Sequence, residues 1–283
     1  MKKPLTILLL AIFAAMPAFA QTASSLFWKK DNVQLKEIVS DKPVQYNFVG
    51  HHGPAVENSH MALRIYFNDS GAIDVYSKSG KQMELLKYLW YPTEEQQAKE
   101  GAGCDEYLVG KTVGVGGIAL WDGEKEVKLV AKSRTARVGE TKNGSFAEMI
   151  AYGVAYKGET VDVSIRVDVF DESREARVTA TELNGKKVQF LTGINHQPGE
   201  KLAFGKKWIA VWGVHPADVS QHPTPLGAGM RFKPGKFSAV EQTEDMLRII
   251  SKPMKKVSTI VVAASTKEDE LNTAEKFTAY MSR

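Results

Sequence analysis

The chain is poor in cysteine: Cys104 is the only one in 283 residues, so no intrachain disulfide can form. It also lacks a strong excess of one charge, because 37 Lys and Arg residues stand against 33 Asp and Glu residues, a formal net charge of +4. So small an excess excludes nucleic-acid binding driven by counterion release. No internal repeat or low-complexity linker divides the sequence. After the first twenty residues no apolar run is long enough to cross a bilayer.

The first twenty residues have the composition of a secretory signal peptide. Lys2 and Lys3 precede the apolar core LTILLLAIFAAM, and the small-x-small sequence AFA comes directly before Gln21. We therefore expect cleavage near Ala20 and export to the periplasm or the medium. The chain then divides into a signal peptide at 1–20, an N-terminal extension at 21–49 and a single domain at 50–283.

Most of the remaining sequence has the pattern of β-strands. In TVDVSIRVDVF, residues 160–170, valine and isoleucine alternate with polar residues, as in a half-buried antiparallel strand. Other segments rich in Val, Ile, Tyr, Phe and Thr are separated by turn sequences such as LNGKK and WDGEK. This pattern predicts an all-β fold, a large, supersandwich-like antiparallel β-sandwich of at least ten strands.

Two segments have helical patterns. TEEQQAKEGA at 93–102 is short and polar. KEDELNTAEKFTAYMSR at 267–283 places Leu271, Ala274, Phe277 and Met281 on one stripe. The stripe predicts a C-terminal helix that packs on the sheet.

Two glycine-containing segments resemble nucleotide-binding motifs without matching them. LVGKT at 108–112 ends like a P-loop, but Asp105 stands where that motif needs a glycine. GVGGIA at 114–119 fits a loose dinucleotide pattern, but a turn and a strand follow it where a helix is required. We therefore exclude nucleotide binding.

The six histidines fall in three segments, beside Gly, Pro, Asn, Asp, Glu or Trp residues. They are His51, His52, His60, His196, His215 and His222. Loops at strand ends can bring such residues together, and we expect His52, His196 and His215 to surround one concave site lined by Trp90 or Trp212. Since adjacent side chains of a strand point to opposite faces, His52 is the one of its pair expected to enter the site.

Several of these segments carry a family resemblance. HHGPAVENSHMALRIYF, AIDVYSK, GCDEYLVGKTVGVGGIALW, NHQPGEKLAFG and WGVHPADV…LGAGM together resemble the secreted bacterial family named domain of unknown function 4861. The resemblance covers about residues 50 to 282 and implies a β-sandwich protein that accompanies glycan-degrading, often pectin-degrading, enzymes. It implies no particular reaction. Fewer residues precede the HHGP segment than the N-terminal part expected of the family.

The first functional hypothesis is a lyase-like enzyme acting on uronic-acid-containing, pectin-type glycans. β-Elimination needs a base for the C5 proton, an acid for the leaving oxygen and a group that neutralises the carboxylate. His52 or His196 would be the base, and Tyr91, Tyr66 or Tyr76 the acid, with Asn or Arg side chains for the carboxylate. The predicted substrate-binding residues are Glu57, Asn58, Arg64, Trp90, Asp105, Asn195, Trp212, His215 and Arg231.

Structural interpretations of individual residues stand beside this hypothesis. A buried Asp74 would need a partner, and Arg64 on the preceding strand is the natural one. Cys104 is expected to be a small buried apolar residue rather than a nucleophile. Arg231 would either hold a carboxylate through two hydrogen bonds or pair on the surface.

Two further hypotheses remain. A non-catalytic carbohydrate-binding protein would use Trp90, Tyr91 and Trp212 as a stacking platform. A metal site would combine the histidines with Glu57 or Asp218, but their spacing marks no ligand set, so we predict no metal ligands and leave the cofactor open, with a divalent cation as the alternative. The predicted partner is an acidic oligosaccharide or polysaccharide, and the sequence leaves the oligomeric state open.

Overall fold

The computed structural model describes residues 21–42, 45–218 and 220–283. The strands are β1 (Thr22–Ser25), β2 (Glu37–Ser40), β3 (Ala55–Asn58), β4 (Met61–Ile65), β5 (Ile73–Ser77), β6 (Ala119–Trp121), β7 (Glu126–Val127), β8 (Ser133–Thr141), β9 (Gly144–Tyr156), β10 (Glu159–Phe170), β11 (Ala176–Glu182), β12 (Phe190–Asn195), β13 (Lys201–Gly205), β14 (Trp208–Gly213), β15 (Leu226–Arg231), β16 (Phe237–Gln242), β17 (Met246–Ser251) and β18 (Lys256–Ser265). The helices are α1 (Leu85–Tyr88), α2 (Glu94–Glu100) and α3 (Ala274–Met281). The predicted signal peptide at 1–20 lies outside the described residues.

These strands form three sheets. One sheet has nine strands in the order β13-β14-β15-β18-β11-β10-β9-β8-β2. A four-stranded sheet, β1-β3-β4-β5, and a five-stranded sheet, β16-β17-β12-β6-β7, pack against it. Neighbouring strands within the sheets run antiparallel. The predicted all-β, sandwich-like fold is confirmed.

Strand β10 shows why the alternating sequence pattern predicts this fold. Val163, Ile165, Val167 and Val169 are each fully buried in the core. The polar residues between them face away from the core on the outer side of the sheet, as alternation along a strand requires. The pattern of this strand is therefore set by one buried and one solvated face.

The glycine-rich segment 114–117 lies directly against the backbone of β5 in the four-stranded sheet. Gly114 has φ 68°, and a Cβ atom there would lie 2.0 Å from the carbonyl oxygen of Ile73. The amide of Val115 donates to that same oxygen at 3.0 Å. The glycines are thus needed for close backbone approach and a left-handed turn, which gives this motif a structural role.

The predicted C-terminal helix is present and begins at Ala274. Thr273 caps it by accepting a hydrogen bond from the amide of Lys276. Phe277 and Met281 are fully buried, and the helix packs on β14 and β15. No helix among the described residues has both the length and the apolar character needed to cross a membrane.

Residues 21–49 contribute strands to two of the sheets. Thr22 of β1 pairs with Asn58 of β3, and Ile38 of β2 pairs with Ala136 of β8. The segment before the HHGP sequence is therefore hydrogen-bonded into the sandwich.

Candidate functional site

The HHGP segment forms a tight 3-10 turn, Gly50–His52, directly before β3. His51 and His52 both have positive φ angles, 55° and 60°. Consecutive non-glycine residues in this conformation store backbone strain, which clusters at functional sites. The strand geometry assumed for the two histidines is wrong, because the strand begins at Ala55, but their side chains still separate.

The two histidines have different environments. His51 is buried, and its Nε2 lies 2.8 Å from the hydroxyl of Ser25. His52 is half-buried and stacks on Tyr46 at 4.1 Å between ring centroids. Its Nδ1 lies 3.1 Å from the carbonyl oxygen of Tyr46. Because a carbonyl can only accept, Nδ1 carries the proton and Nε2 of the neutral ring is left with a free lone pair.

A second strained pair lies against the first. Leu89 and Trp90 have φ angles of 49° and 75°. Trp90 is buried, 5.9 Å from the ring of His51, and its indole lies 4.5 Å from the guanidinium of Arg64. The turn places the next residue, Tyr91, at the surface with 38% of its area exposed. Trp90 thus supports the site from beneath rather than presenting a free ring face.

Arg64 is the centre of a buried polar network. Its Nη2 contacts Asp74 at 2.5 Å and Asp105 at 3.0 Å, and its Nη1 donates to the hydroxyl of Tyr91 at 2.8 Å. Tyr66 donates to the same oxygen of Asp74 at 2.7 Å. The predicted pairing of Arg64 with Asp74 is confirmed, since the two face each other across β4 and β5. Arg64 is therefore occupied by residues of its own chain.

Two carboxylates that share one guanidinium cannot both ionise as easily as isolated ones. The pKa of Asp105 is raised to about 7, chiefly by burial and also by the neighbouring charge of Asp74, while Arg64 opposes the rise. Burial also raises the pKa of Asp74. The indole N–H of Trp90 faces Asp105 and lowers its pKa, without reaching regular hydrogen-bond geometry. Asp105 is thus half protonated near neutral pH.

Two further groups that line this site, His52 and Tyr91, are neutral at pH 7. Burial lowers the pKa of His52 to about 4, and the nearby charges of Arg64 and Lys29 lower it as well. Burial raises the pKa of Tyr91 to about 12, against the effect of Arg64. The site thus combines a neutral imidazole, a phenol and a carboxyl that exchanges its proton near neutral pH.

These side chains line one cavity of about 290 Å³. Its further walls come from the segment 105–110 and from the loop between β14 and β15, including Asp218 and Ser220. Buried Glu106 holds that loop, because it accepts hydrogen bonds from the amide and hydroxyl of Thr224 at 3.0 and 3.1 Å. The cavity is at the lower end of the range for ligand pockets, about 300 to 1,000 Å³.

Asn195 and His215 lie behind the cavity wall. Both contact Leu108, a residue that lines the cavity. The amide of Leu108 donates to Nδ1 of His215 at 2.9 Å, and the carbonyl oxygen of Leu108 accepts from Nδ2 of Asn195 at 2.9 Å. Nε2 of His215 therefore carries its proton, 3.5 Å from the buried carboxyl of Glu200. Burial lowers the pKa of His215 to about 4 and raises that of Glu200 to about 7, so both groups are largely uncharged between about pH 4 and pH 7. Both predicted residues position a wall and do not line the cavity.

Four predicted residues are used in packing or caps elsewhere. The carboxylate of Glu57 pairs with Lys78 at 2.5 Å, and its oxygens accept from the amides of Glu84 and Leu85. The other three are Asn58, Trp212 and Arg231. Asn58 caps the turn before Met61, and Trp212 packs against Phe277. Arg231 pairs with Glu175 and donates to backbone carbonyls at the end of α3.

His196 also lies away from the cavity. Its Nε2 is 3.2 Å from the carbonyl oxygen of Thr243, and its amide donates to the carbonyl of Asp245. Of the three histidines expected to share one site, only His52 lines the cavity. The expected acid–base pair of His52 and His196 is therefore not formed, because His196 directly follows β12 and is held beside the turn between β16 and β17 in the five-stranded sheet.

Sequence reasoning missed Tyr46 and Tyr107 as lining residues. Tyr46 lies in the segment assigned to the extension, and its isolated position carries no pattern. Tyr107 is part of the GCDEYLVGKT motif, so that motif was the signal available. Cys104 beside it is buried, as expected. Among the described residues no cluster of three or more His, Cys, Asp or Glu side chains is arranged to hold a metal ion.

The chain is thus an all-β sandwich with a small polar cavity built around a buried arginine. It belongs to the family described as Domain of unknown function (DUF4861), whose model matches residues 9–283. The match includes the segment before residue 50 that we expected to fall outside it.

Comparison with solved structures gives a distant likeness. A 4-alpha-glucanotransferase from Thermococcus litoralis is similar over 75% of this chain and 39% of that chain, with 10% sequence identity and a TM-score of 0.35. This chain therefore spans well under two thirds of that protein, and a likeness of this size carries no functional argument. A comparison with curated proteins finds no match.

Proposed function

We propose that this protein is an exported, carbohydrate-active enzyme whose cavity carries out acid–base chemistry on one sugar residue of a glycan. The observation that carries the proposal is the Asp105 carboxyl, which lines the cavity with its pKa raised to about 7. A general acid or base is most effective when its pKa lies near the working pH. Perturbed carboxyls in clefts also mark functional sites more often than structural ones.

The neighbouring groups suit the same chemistry. The free Nε2 of His52 can accept a hydrogen bond from a sugar hydroxyl, and its pKa of about 4 keeps the ring neutral. Tyr91 accepts from Arg64, which leaves its own hydroxyl proton free for a substrate oxygen. We assign proton donation to the leaving oxygen to the protonated Asp105 carboxyl and acceptance of the C5 proton to the neutral Nε2 of His52, with Tyr91 as a hydrogen-bonding partner of the reacting sugar.

The size and lining of the cavity support a sugar as its ligand. About 290 Å³ suits a single ring rather than a long segment of chain. The lining combines tyrosine rings with carboxyl, hydroxyl and imidazole groups, including Tyr46, Tyr66 and Tyr107. Such a mixture offers both apolar contact and hydrogen bonds to a polyhydroxylated ring.

The substrate class we propose is the uronic-acid-containing glycan implied by the sequence resemblance. Arg64 is not the group that binds its carboxylate, because Asp74, Asp105 and Tyr91 already use its donors. Only the protonated form of Asp105 can give a proton to the leaving oxygen, and the ionised form would also repel the uronate carboxylate. A lyase-like reaction on a uronate is therefore expected to weaken above pH 7.

The test uses the mature protein and a panel of uronate and neutral oligosaccharides. A new C4–C5 double bond, detected by its absorbance, would identify β-elimination, and chromatography of the products would identify hydrolysis. Asp105→Asn should lower turnover by about 10² to 10⁴, the usual contribution of a general acid or base, while substrate affinity changes much less. Asp218→Asn changes an exposed carboxyl on the same cavity and is the matched control.

The alternative is a non-catalytic carbohydrate-binding protein. It predicts saturable binding without any product, and unchanged affinity in Asp105→Asn. Product formation that Asp105→Asn leaves unchanged would remove Asp105 from the proposal.

A further inference from the structure

The outer face of the nine-stranded sheet carries a second concave surface. A groove of about 640 Å³ lies across β10, β11, β18 and the end of β15. The charged strand side chains that line it point away from the core, because they alternate with buried residues such as Val167, Val178 and Val261. We call this surface the basic groove, and its charged lining residues are Arg166, Asp168, Arg177, Arg231, Lys233 and Lys256.

Five of these six charged side chains are cations. Arg166 pairs with Asp168 at 2.8 Å, and Arg231 pairs with Glu175. Arg177, Lys233 and Lys256 are exposed, and they form no ion pair with the described residues. The groove therefore has an excess of positive charge that the protein itself does not neutralise, unlike the cavity, where Arg64 is fully paired.

The sheet fixes the spacing of these cations. Arg177 of β11 faces Ile260 of β18, and Ile260 faces Arg231 of β15. The two arginines are thus two strand spacings apart, about 10 Å between their Cα atoms. Thr179 and Ser258 face each other in the next row, where their hydroxyls lie 3.0 Å apart and the exposed Ser258 presents the pair to the groove. Rows of guanidinium and hydroxyl groups on a rigid sheet suit an extended chain that bears negative charges and hydroxyls.

We infer that the basic groove binds an anionic oligosaccharide or polysaccharide, through ion pairs to its carboxylate or sulfate groups and hydrogen bonds to its hydroxyls. The aromatic rings beside the groove argue for a glycan rather than a single-stranded nucleic acid. The guanidinium of Arg166 lies 3.7 Å from the ring centroid of Phe146, and that of Arg177 lies 5.0 Å from that of Phe170. Each guanidinium occupies one face of its ring, so bases cannot stack on that face as they do at single-stranded nucleic-acid sites.

This site lies apart from the cavity and does not depend on its chemistry. The groove would hold a length of charged chain on the rigid sheet whether or not the cavity acts on it. Its binding should weaken steeply with salt, since exposed charges are screened over about 10 Å at 0.1 M ionic strength.

The experiment measures binding of oligogalacturonate and of a heparin fragment at low and high salt, with dextran as the neutral control. The Asp105→Asn variant serves as the background, so turnover does not affect the result. In it, Arg177→Gln, Lys233→Gln and Lys256→Gln together should weaken binding about tenfold at low salt, as expected for three modest exposed ion pairs. Comparing the two anionic probes shows whether carboxylate or sulfate is the better ligand.

The matched control removes the same charge elsewhere, through Lys125→Gln, Lys128→Gln and Lys157→Gln, which are exposed and line neither the groove nor the cavity. Unchanged binding in the groove variant would overturn the inference. An equal loss in the control variant would also overturn it, because net charge alone would then explain the effect. Tighter binding of single-stranded DNA, with the same loss in the groove variant, would assign the groove to nucleic acid.

Discussion

Replacing Asp105 by Asn is expected to stabilise the protein at alkaline pH while it removes the proposed proton-transfer group. Arg64 is buried between two carboxylates, those of Asp74 and Asp105. When both ionise, this buried network carries a net negative charge that burial makes costly. With Asn at position 105, Arg64 and Asp74 form a balanced pair. The substitution thus removes the uncompensated negative charge that the buried network carries at alkaline pH.

The magnitude follows from the pKa of Asp105, which is about 7 in the fold against an ordinary value of 3.8. The native state keeps this proton where the unfolded chain has lost it, so the free energy of unfolding falls as pH rises from about 4 to about 7. At 1.36 kcal/mol for each pKa unit, the loss above pH 7 amounts to roughly 4 kcal/mol. Asn imitates the protonated carboxyl imperfectly, so we expect a net gain of about 2 kcal/mol at pH 8.

The assay is urea unfolding of wild type and Asp105→Asn at pH 5 and pH 8, with Asp218→Asn as the exposed control. The gain should be present at pH 8 and close to zero at pH 5, where Asp105 is already protonated. Glu200, whose pKa is also raised to about 7, titrates in both proteins and cancels in the difference. A difference that is the same at both pH values would refute the raised pKa and with it the acid–base assignment.

Three further predictions concern the scaffold. Lys78→Met should lower the free energy of unfolding in urea by about 3 to 5 kcal/mol, because it leaves the buried carboxylate of Glu57 without its cation. Adding Glu57→Gln to the same chain should restore stability, and an unchanged free energy in Lys78→Met alone would contradict the prediction. The contribution of His51 and His215 to the free energy of unfolding should fall as pH drops from 6.5 to 4, because burial lowers their pKa values to about 3 and about 4, so the unfolded chain takes up these protons first. Asp105 and Glu200 act in the opposite direction over this range, so the test compares wild type with His215→Gln. The variant should lose less stability on acidification, and an identical pH profile would oppose the assignment. Gly114→Ala should lower the free energy of unfolding by at least about 2 kcal/mol, because the new methyl group clashes with Ile73 and the φ angle is positive. Gly110→Ala should lower it less, because this glycine also has a positive φ of 62° but has open space around it. Equal losses of stability would show that the structure relieves the clash.

The elements that sequence could predict are those set by local periodicity. The alternation in β10 and the apolar stripe of α3 each depend on one buried face, and a buried face leaves a period in the sequence. The pairing of Arg64 with Asp74 could also be anticipated, since the two lie on consecutive strands with a short connection. The same reasoning explains the confirmed fold class.

The site could be predicted only in part, because its geometry depends on contacts between distant segments. Asp105 was predicted as a substrate-binding residue, but its contact with Arg64 is set by the return of residues 104–113 along β5. The positive φ angles at His52 and Trp90 leave no mark in the sequence, since neither residue is a glycine. His196 follows an asparagine in a polar loop sequence, as a site residue could, but the structure places it beside Thr243 and Asp245, away from the cavity.

The two polar surfaces use their arginines in opposite ways, and this separates their expected responses to solution conditions. Arg64 cannot turn to a new anion without leaving Asp74 and Asp105 uncompensated in the interior, so the cavity can change its charge only by taking up or losing a proton. Arg177 need not break an ion pair when it meets an anion, because it forms none with the described residues and packs only on the ring of Phe170. Events in the cavity should therefore follow pH near 7 and respond weakly to salt, whereas binding in the basic groove should follow ionic strength and respond weakly to pH. A glycan bound at both places would show both dependences, and variants at Asp105 and Arg177 would remove them one at a time.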